Sequence, residues 1–181
     1  STDANTLTAF NSDGFSVGSA AWVNGSNDFV SWNWAAGNSG SSNEDGSINT
    51  TTTYVDQTAG ISISTYTGTG DDDATIGHGL GVTPTIVWVF PRSNGDHHLS
   101  SNWQDGISVF TEKWKLNDTE AASSSSSQIK GASSTTFTLG TDVGVNGDTR
   151  TYVAYAFVEV EGFSKFGTFT GNNNADGPFI Y

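Results

Sequence analysis

Carboxylate, amide, imidazole and indole groups crowd into one polar stretch of this chain, Asn94-Gly-Asp-His-His-Leu-Ser-Ser-Asn-Trp-Gln-Asp. That mixture suits a sugar: an aromatic ring gives a stacking platform, and neighbouring amides and carboxylates bond hydroxyl groups. Trp103, flanked by Asn102, Gln104 and Asp105, is the aromatic that stands in a polar loop and outside any strand rhythm. The candidate ligand-binding set is therefore Trp103, Asn94, Asp96, His97 and Asp105, against the plain alternative that Trp103 is a lid on the core. Trp22, also loop-borne, is a second candidate ring.

Asp71-Asp72-Asp73 lies between glycines, and carboxylates clustered in a turn are how hard cations such as calcium are held. Asp71 and Asp73 are the metal candidates, with a solvated acidic turn as the plain reading, since no EF-hand spacing follows. Gly171-Asn-Asn-Asn repeats the oxygen donors further on, which Asx-turn chemistry also explains. His97 and His98 are adjacent and would point to opposite sides of a strand. With three histidines and no cysteine, zinc has too few ligands. His78, in Gly-His-Gly-Leu-Gly, reads as a turn histidine packed over a strand. Asp56, Asp96, Asp105, Glu112, Glu159 and Glu161 supply carboxylates, but no nucleophile elbow, Ser-His-Asp spacing or phosphate loop accompanies them. The chain is expected not to be an enzyme and to carry no cofactor, calcium being the one exception considered.

The elements that must position these groups are strands. Ile61, Ile63 and Thr65 alternate with Ser62, Ser64 and Tyr66, the period of a half-buried strand. Ile86 to Phe90 is apolar on both faces and starts after Pro84, which predicts a central strand. Phe15 to Ser19, Phe29 to Trp34, Ile107 to Phe110, Trp114 to Leu116, Thr136 to Leu139, Arg150 to Glu161, Phe163 to Thr170 and Pro178 to Tyr181 complete the expected strands. Trp32, Trp34, Trp88 and Trp114 read as core. Residues 1–13 read as a loose start, 35–57 as a long polar loop, and the serines 123–127 as a loop tip.

Composition agrees. Over 181 residues, 34% are apolar and 14% charged, with Gly 22, Trp 6, Tyr 5 and Phe 11, a profile for an aromatic core between many turns. The expected fold is an all-β antiparallel sandwich, jelly-roll-like or lectin-like, with essentially no helix. A formal charge of -13 repels nucleic acid and anionic membranes. No apolar stretch nears the roughly 18 residues of a membrane span. The chain begins at Ser1 and has Met 0, so trimming or excision from a longer protein is expected.

The chain also repeats itself out of phase. Phe15-Ser-Val-Gly, Val23-Asn-Gly and Phe29-Val-Ser-Trp-Asn-Trp return as Phe137-Thr-Leu-Gly, Val145-Asn-Gly and Tyr152-Val-Ala-Tyr-Ala-Phe. Gly60-Ile-Ser and Thr65-Tyr-Thr-Gly return as Gly162-Phe-Ser and Thr168-Phe-Thr-Gly. Residues 60–162 then form a complete β module, 1–59 hold the back half of a repeat plus a polar loop, and 163–181 hold a front half. That front half is expected to pair with 10–36 or with a neighbouring molecule, and its last residues Phe179, Ile180 and Tyr181 are interaction candidates.

Thr65-Tyr-Thr-Gly-Thr-Gly, Ile76-Gly-His-Gly-Leu-Gly-Val-Thr-Pro, Thr151-Tyr-Val-Ala-Tyr-Ala-Phe, Glu161-Gly-Phe-Ser-Lys-Phe-Gly-Thr-Phe-Thr-Gly-Asn and Asp176-Gly-Pro-Phe-Ile-Tyr together resemble a domain of unknown function found in tandem in virion proteins of marine tailed bacteriophages. The similarity runs from about residue 10 to the end, and the ordered string of motifs is more specific than any one of them. The resemblance implies a β-rich structural or adhesive protein on the virion surface, as a tail-fibre or capsid-decoration module. It implies partners among other virion proteins, a homo-oligomer and host-surface glycans, and it supplies no catalytic residue. The rival reading is a carbohydrate-binding module of a secreted enzyme. The chain departs from the resemblance in being short and out of register, which is at odds with a simple long fibre.

Overall fold

Alternation along Ile61–Thr67 does produce a strand, but both of its faces are covered. The computed structural model describes residues 4–37, 39–92, 98–101, 110, 112–116, 119, 123–124, 126–167 and 169–178. Contacts divide the chain into two units, Ser1–Trp34 and Ala35–Tyr181.

In the second unit the strands are β3 (Thr52–Asp56), β4 (Ile61–Thr67), β5 (Thr75–Gly77), β6 (Ile86–Pro91), β7 (His98–Ser101), β8 (Glu112–Lys115), β9 (Ser123–Ser124), β10 (Ile129–Ala132), β11 (Thr136–Leu139) and β12 (Thr151–Phe157). They form an antiparallel seven-stranded sheet, β3-β4-β12-β6-β7-β8-β9, and a three-stranded sheet, β10-β11-β5. Tyr152 lies opposite Tyr66 and Pro91, and Phe157 opposite Ile61 and Ile86, which fixes the register at the middle of the large sheet. That register puts Tyr66, Val87, Val89, Tyr152, Ala154 and Ala156 on one face, where they pack against Ile129, Phe137 and Leu139 of the small sheet. This is the all-β, sandwich-like arrangement expected. Burying each of the larger side chains contributes about 1.5–3 kcal/mol.

The opposite face of the large sheet carries a second cluster, Ile61, Ile86, Trp88, Tyr155 and Phe157, with Ala36 and Phe166 against it. Trp88 meets Phe157 edge-on at 5.0 Å, and Phe90 meets Tyr155 at 5.6 Å. Two covered faces explain why β6 and β12 are apolar at successive positions.

Several expectations need correction. The polar stretch 35–57 is not all loop: β3 pairs along β4, and Ile48 reaches the core and bridges Ile76. The reason is a relay of hydroxyls in place of apolar contacts. Asn43 N–H donates to Thr50 Oγ1 at 2.7 Å, Thr50 and Thr53 hydroxyls meet at 2.9 Å, and Thr53 meets Ser64 at 2.9 Å. Every member has a partner, so buried polar groups cost little. Ser123–Ser124 is a short strand on β8, where a loop tip was expected. The long strand stops at Phe157, short of Glu161, where the backbone turns at Val160–Ser164. Phe163 to Gly167 is not a strand, and Phe163 is 74% exposed.

In the first unit, β1 (Leu7–Asn11) and β2 (Gly14–Val17) form a hairpin where a loose start was expected. The one-turn helix α1 (Ala21–Asn24) follows, and its counterpart in the second unit is α2 (Val143–Asn146). Phe29 to Trp34 forms no strand, and Val30 and Trp32 are about three-quarters exposed, at 75% and 74%. The alternation is present in the sequence, but a strand also needs a neighbour to take its backbone bonds.

Candidate functional site

Four residues cannot hold an α-helix by themselves, so α2 must be fastened from outside. Asp142 caps it, Oδ1 accepting from Gly144 N–H at 2.7 Å while Oδ2 accepts from Gln128 Nε2 at 3.1 Å. Two stacked tyrosines hold the far side, with Tyr66 and Tyr152 ring centroids 5.1 Å apart. Tyr66 Oη donates to the Val145 carbonyl at 2.7 Å, and Tyr152 Oη donates to the Val143 carbonyl at 2.6 Å while accepting from Gly147 N–H at 2.7 Å. Burial pushes both phenols above their ordinary pKa, and for Tyr66 the neighbouring Tyr152 adds to the rise. They stay protonated as donors.

Asn146, fully buried, is the hub of this clasp. Its Oδ1 accepts from Thr69 N–H at 3.0 Å, and its Nδ2 donates to the Asp71 carbonyl at 2.8 Å and the Gly140 carbonyl at 3.1 Å. Its own carbonyl accepts from Gly70 N–H at 2.8 Å. The turn that follows β4 is thereby clipped onto α2.

The first unit contains the same clasp, unfinished. Gly140 N–H donates to Gln128 O and Asp142 N–H to Ser127 O; Gly18 N–H donates to Thr6 O and Ala20 N–H to Asn5 O. Val145 and Asn146 N–H both donate to Asp142 O, as Val23 and Asn24 N–H both donate to Ala20 O. Asn24 Nδ2 donates to the Gly18 carbonyl at 2.9 Å, as Asn146 does to Gly140. Both hairpins carry a register irregularity at the matching place, between Leu7 and Ala9 and between Ile129 and Gly131. In both, a Cβ on the glycine before the helix would collide with backbone, that of Asn5 for Gly18 and of Ser127 for Gly140. The copies differ in cover. Phe137 and Leu139 are fully buried, whereas Phe15 and Val17 are 39% and 36% exposed, and Asn24 is exposed where Asn146 is buried.

The acidic turn is held by an internal cation. Lys130 Nζ lies 2.7 Å from Oδ1 of both Asp72 and Asp73, and Asp73 adopts φ 61. The bond from Lys130 holds the Asp72 carboxyl below its ordinary range, and the two carboxylates raise the Lys130 ammonium. Asp71 enters through its backbone, its carbonyl bonded by Asn146. Among the described residues no three His, Asp or Glu side chains gather to hold a metal ion.

His78 is completely buried, with Nδ1 accepting from Leu80 N–H at 3.1 Å and Nε2 lying 3.2 Å from the Ser133 carbonyl. That pair of partners assigns the proton to Nε2 of a neutral ring. Burial holds its pKa below the ordinary value, against an opposing pull from the Ser133 carbonyl. Glu159 and Glu161 border a shallow depression with Phe163, Ser164 and Lys165, and Glu159 Oε1 accepts from Phe166 N–H at 3.0 Å.

Asn94, Asp96, His97, Trp103 and Asp105 lie outside the described residues, as do Phe179, Ile180 and Tyr181. Trp22 stands on α1 and is 68% exposed. What sequence reasoning missed is the clasp: Val-Asn-Gly reads as a turn in both copies, yet it closes a helical turn with a buried asparagine in one. The repeat also extends further back than its motifs, to Asn5 and Ser127, because that part is matched by backbone bonds and not by side chains.

Over residues 1–181 the chain matches the domain of unknown function DUF7483. It belongs to the DUF7483 family. No curated protein and no solved structure matches the chain. This DUF7483 domain is therefore understood from its own geometry, and the feature that stands out is one clasp closed and one clasp open.

Proposed function

We propose that this chain is a non-catalytic structural and adhesive module exposed on the surface of a tailed-phage particle, as tail-fibre or capsid decoration, with host-surface glycans as the ligand of its adhesive part. The observation that carries the reading is the duplication of half a module's backbone bonds, and of one asparagine bond, within one chain, residues 5–25 against 127–147. Duplicated units that share one scaffold are how extended surface structures are assembled, each repeat covering its neighbour's open face. The motif resemblance set out above and a formal charge of -13, unsuited to nucleic acid, support the same reading.

Immunogold labelling of intact particles with antibody against this chain tests it. Gold over the capsid assigns a decoration role, and gold at tail tips assigns receptor contact through Trp103. Particles that carry the gene product and remain unlabelled would overturn the reading.

A further inference from the structure

We propose that copies of this chain join head to tail, the segment 169–174 of one copy docking on the open clasp, residues 18–33, of the next. This deepens the structural reading above and rests on it.

The chain carries its own template for the joint. In the closed clasp, β12 follows α2 and lies beside β4, with Tyr152 opposite Tyr66 and the turn Gly68-Thr69-Gly70-Asp71 clipped to Asn146. In the open clasp, α1 is followed by Phe29-Val-Ser-Trp-Asn, the counterpart of the start of β12, with no strand beside it among the described residues. Its apolar side chains stand in solvent: Phe29 is 50% exposed and Trp32 74%. The missing neighbour is a β4-like segment with its turn.

Residues 169–174, with Gly162 ahead of them, match that segment. Gly162 takes φ 75 where Gly60 takes φ 68, and Asn173 takes φ 53 where Gly70 takes φ 77. A left-handed asparagine in place of a left-handed glycine keeps the backbone path, since asparagine tolerates that region. Phe169 stands for Tyr66 and is 69% exposed, and Gly171 stands for Gly68, where a side chain would strike the helix it clips. Both tyrosines of the stacked pair are phenylalanine in the open halves, Phe29 and Phe169, so the ring pair is kept and both hydroxyls are dropped together.

Docking sets Phe169 of one copy against Phe29 of the next. It brings the Asn172 and Asn173 N–H groups to Asn24 as Thr69 and Gly70 come to Asn146. Donor and acceptor surfaces differ, so the contact is heterologous and each copy offers one of each. Strand addition of this kind satisfies an open edge with main-chain bonds.

The test uses the absence of cysteine. Asp28→Cys and Thr170→Cys are made in separate full-length chains; they are the counterparts of the opposed pair Thr151 and Thr67, both are exposed, and both rings stay in place. Residues directly opposite in antiparallel strands lie within disulfide reach. Mixed in equal amounts under mild oxidation, the two variants are expected to run as a dimer on a non-reducing gel, and each alone as a monomer. Asn24→Leu in the Asp28→Cys chain is expected to cut the dimer about tenfold, the loss of roughly one buried polar contact. A Thr8→Cys chain, cysteine on the hairpin, is expected not to cross-link with Thr170→Cys. The proposal is overturned if the mixture gives no more dimer than the single variants. It is overturned equally if an Asp28→Cys, Thr170→Cys double variant closes within one chain at low concentration. Labelled particles with no cross-linking would leave the surface role standing and remove the joint; cross-linking with unlabelled particles would do the reverse.

Discussion

Asn146 does with one side chain what a longer segment of strand would otherwise do, joining the turn after β4, the end of β11 and its own helix. Removing it leaves the Thr69 N–H, the Asp71 carbonyl and the buried Gly140 carbonyl without that partner, at about 1–3 kcal/mol for each group that water cannot reach. Asn146→Ala is expected to lower unfolding free energy by about 3 kcal/mol in urea titrations followed by tryptophan fluorescence, whereas Asn24→Ala changes it by less than about 1 kcal/mol. The asymmetry follows from burial and from the bonds to Thr69 and Asp71, because the two asparagines share only the bond to the glycine carbonyl. His78 gives the chain an acid-sensitive point. Its folded pKa lies below the ordinary 6.5, so the unfolded chain takes up the proton first as pH falls. The neutral ring's contribution is complete above that value and is lost progressively below it. His78→Gln is expected to flatten the fall in Tm as pH drops below about 6.5, measured by calorimetry.

At the scale of elements, what could be read in advance was what side-chain period alone determines. β4 and β6 announce themselves, β6 because apolar β-branched and aromatic residues fill both faces, and it is the middle strand of seven. β3 hides, because Thr52, Thr53 and the nearby Thr50 look like loop residues until the hydroxyl relay to Ser64 is formed. Phe29 to Trp34 misleads in the opposite direction: the pattern is there, but among the described residues no strand pairs with Phe29 to Asn33. The candidate site was legible in part. Val23-Asn-Gly and Val145-Asn-Gly mark both clasps, but Leu7-Thr-Ala-Phe and Ile129-Lys-Gly-Ala share no residue, so the first strands of the two hairpins match only through backbone bonds. Glycine placement tests that backbone match. Gly140→Ala would press a methyl onto Ser127 backbone, and a loss of about 2–3 kcal/mol is expected by urea unfolding. Gly14→Ala, with nothing near the added carbon, is the control and is expected to change stability by a few tenths of a kcal/mol at most.

For the molecule as a whole, the sandwich of the second unit and the hairpin of the first obey one local blueprint under opposite conditions of cover. With Lys+Arg 6 against Asp+Glu 19, copies repel one another at long range, and salt shortens that repulsion to about 10 Å at 0.1 M. Close contact must then come from apolar faces and backbone bonds, which is what the open clasp displays.

In the proposed joint, the exchange of tyrosine for phenylalanine sets the order in which the assembly comes apart. In the closed clasp two phenol hydroxyls anchor the helix through its carbonyls; Phe29 and Phe169 bring rings alone. A joint built on those rings is the weaker link by design of its chemistry. Warming or dilution would separate intact subunits before any of them melts, so an assembly of this protein could be dismantled and rebuilt from the same folded pieces.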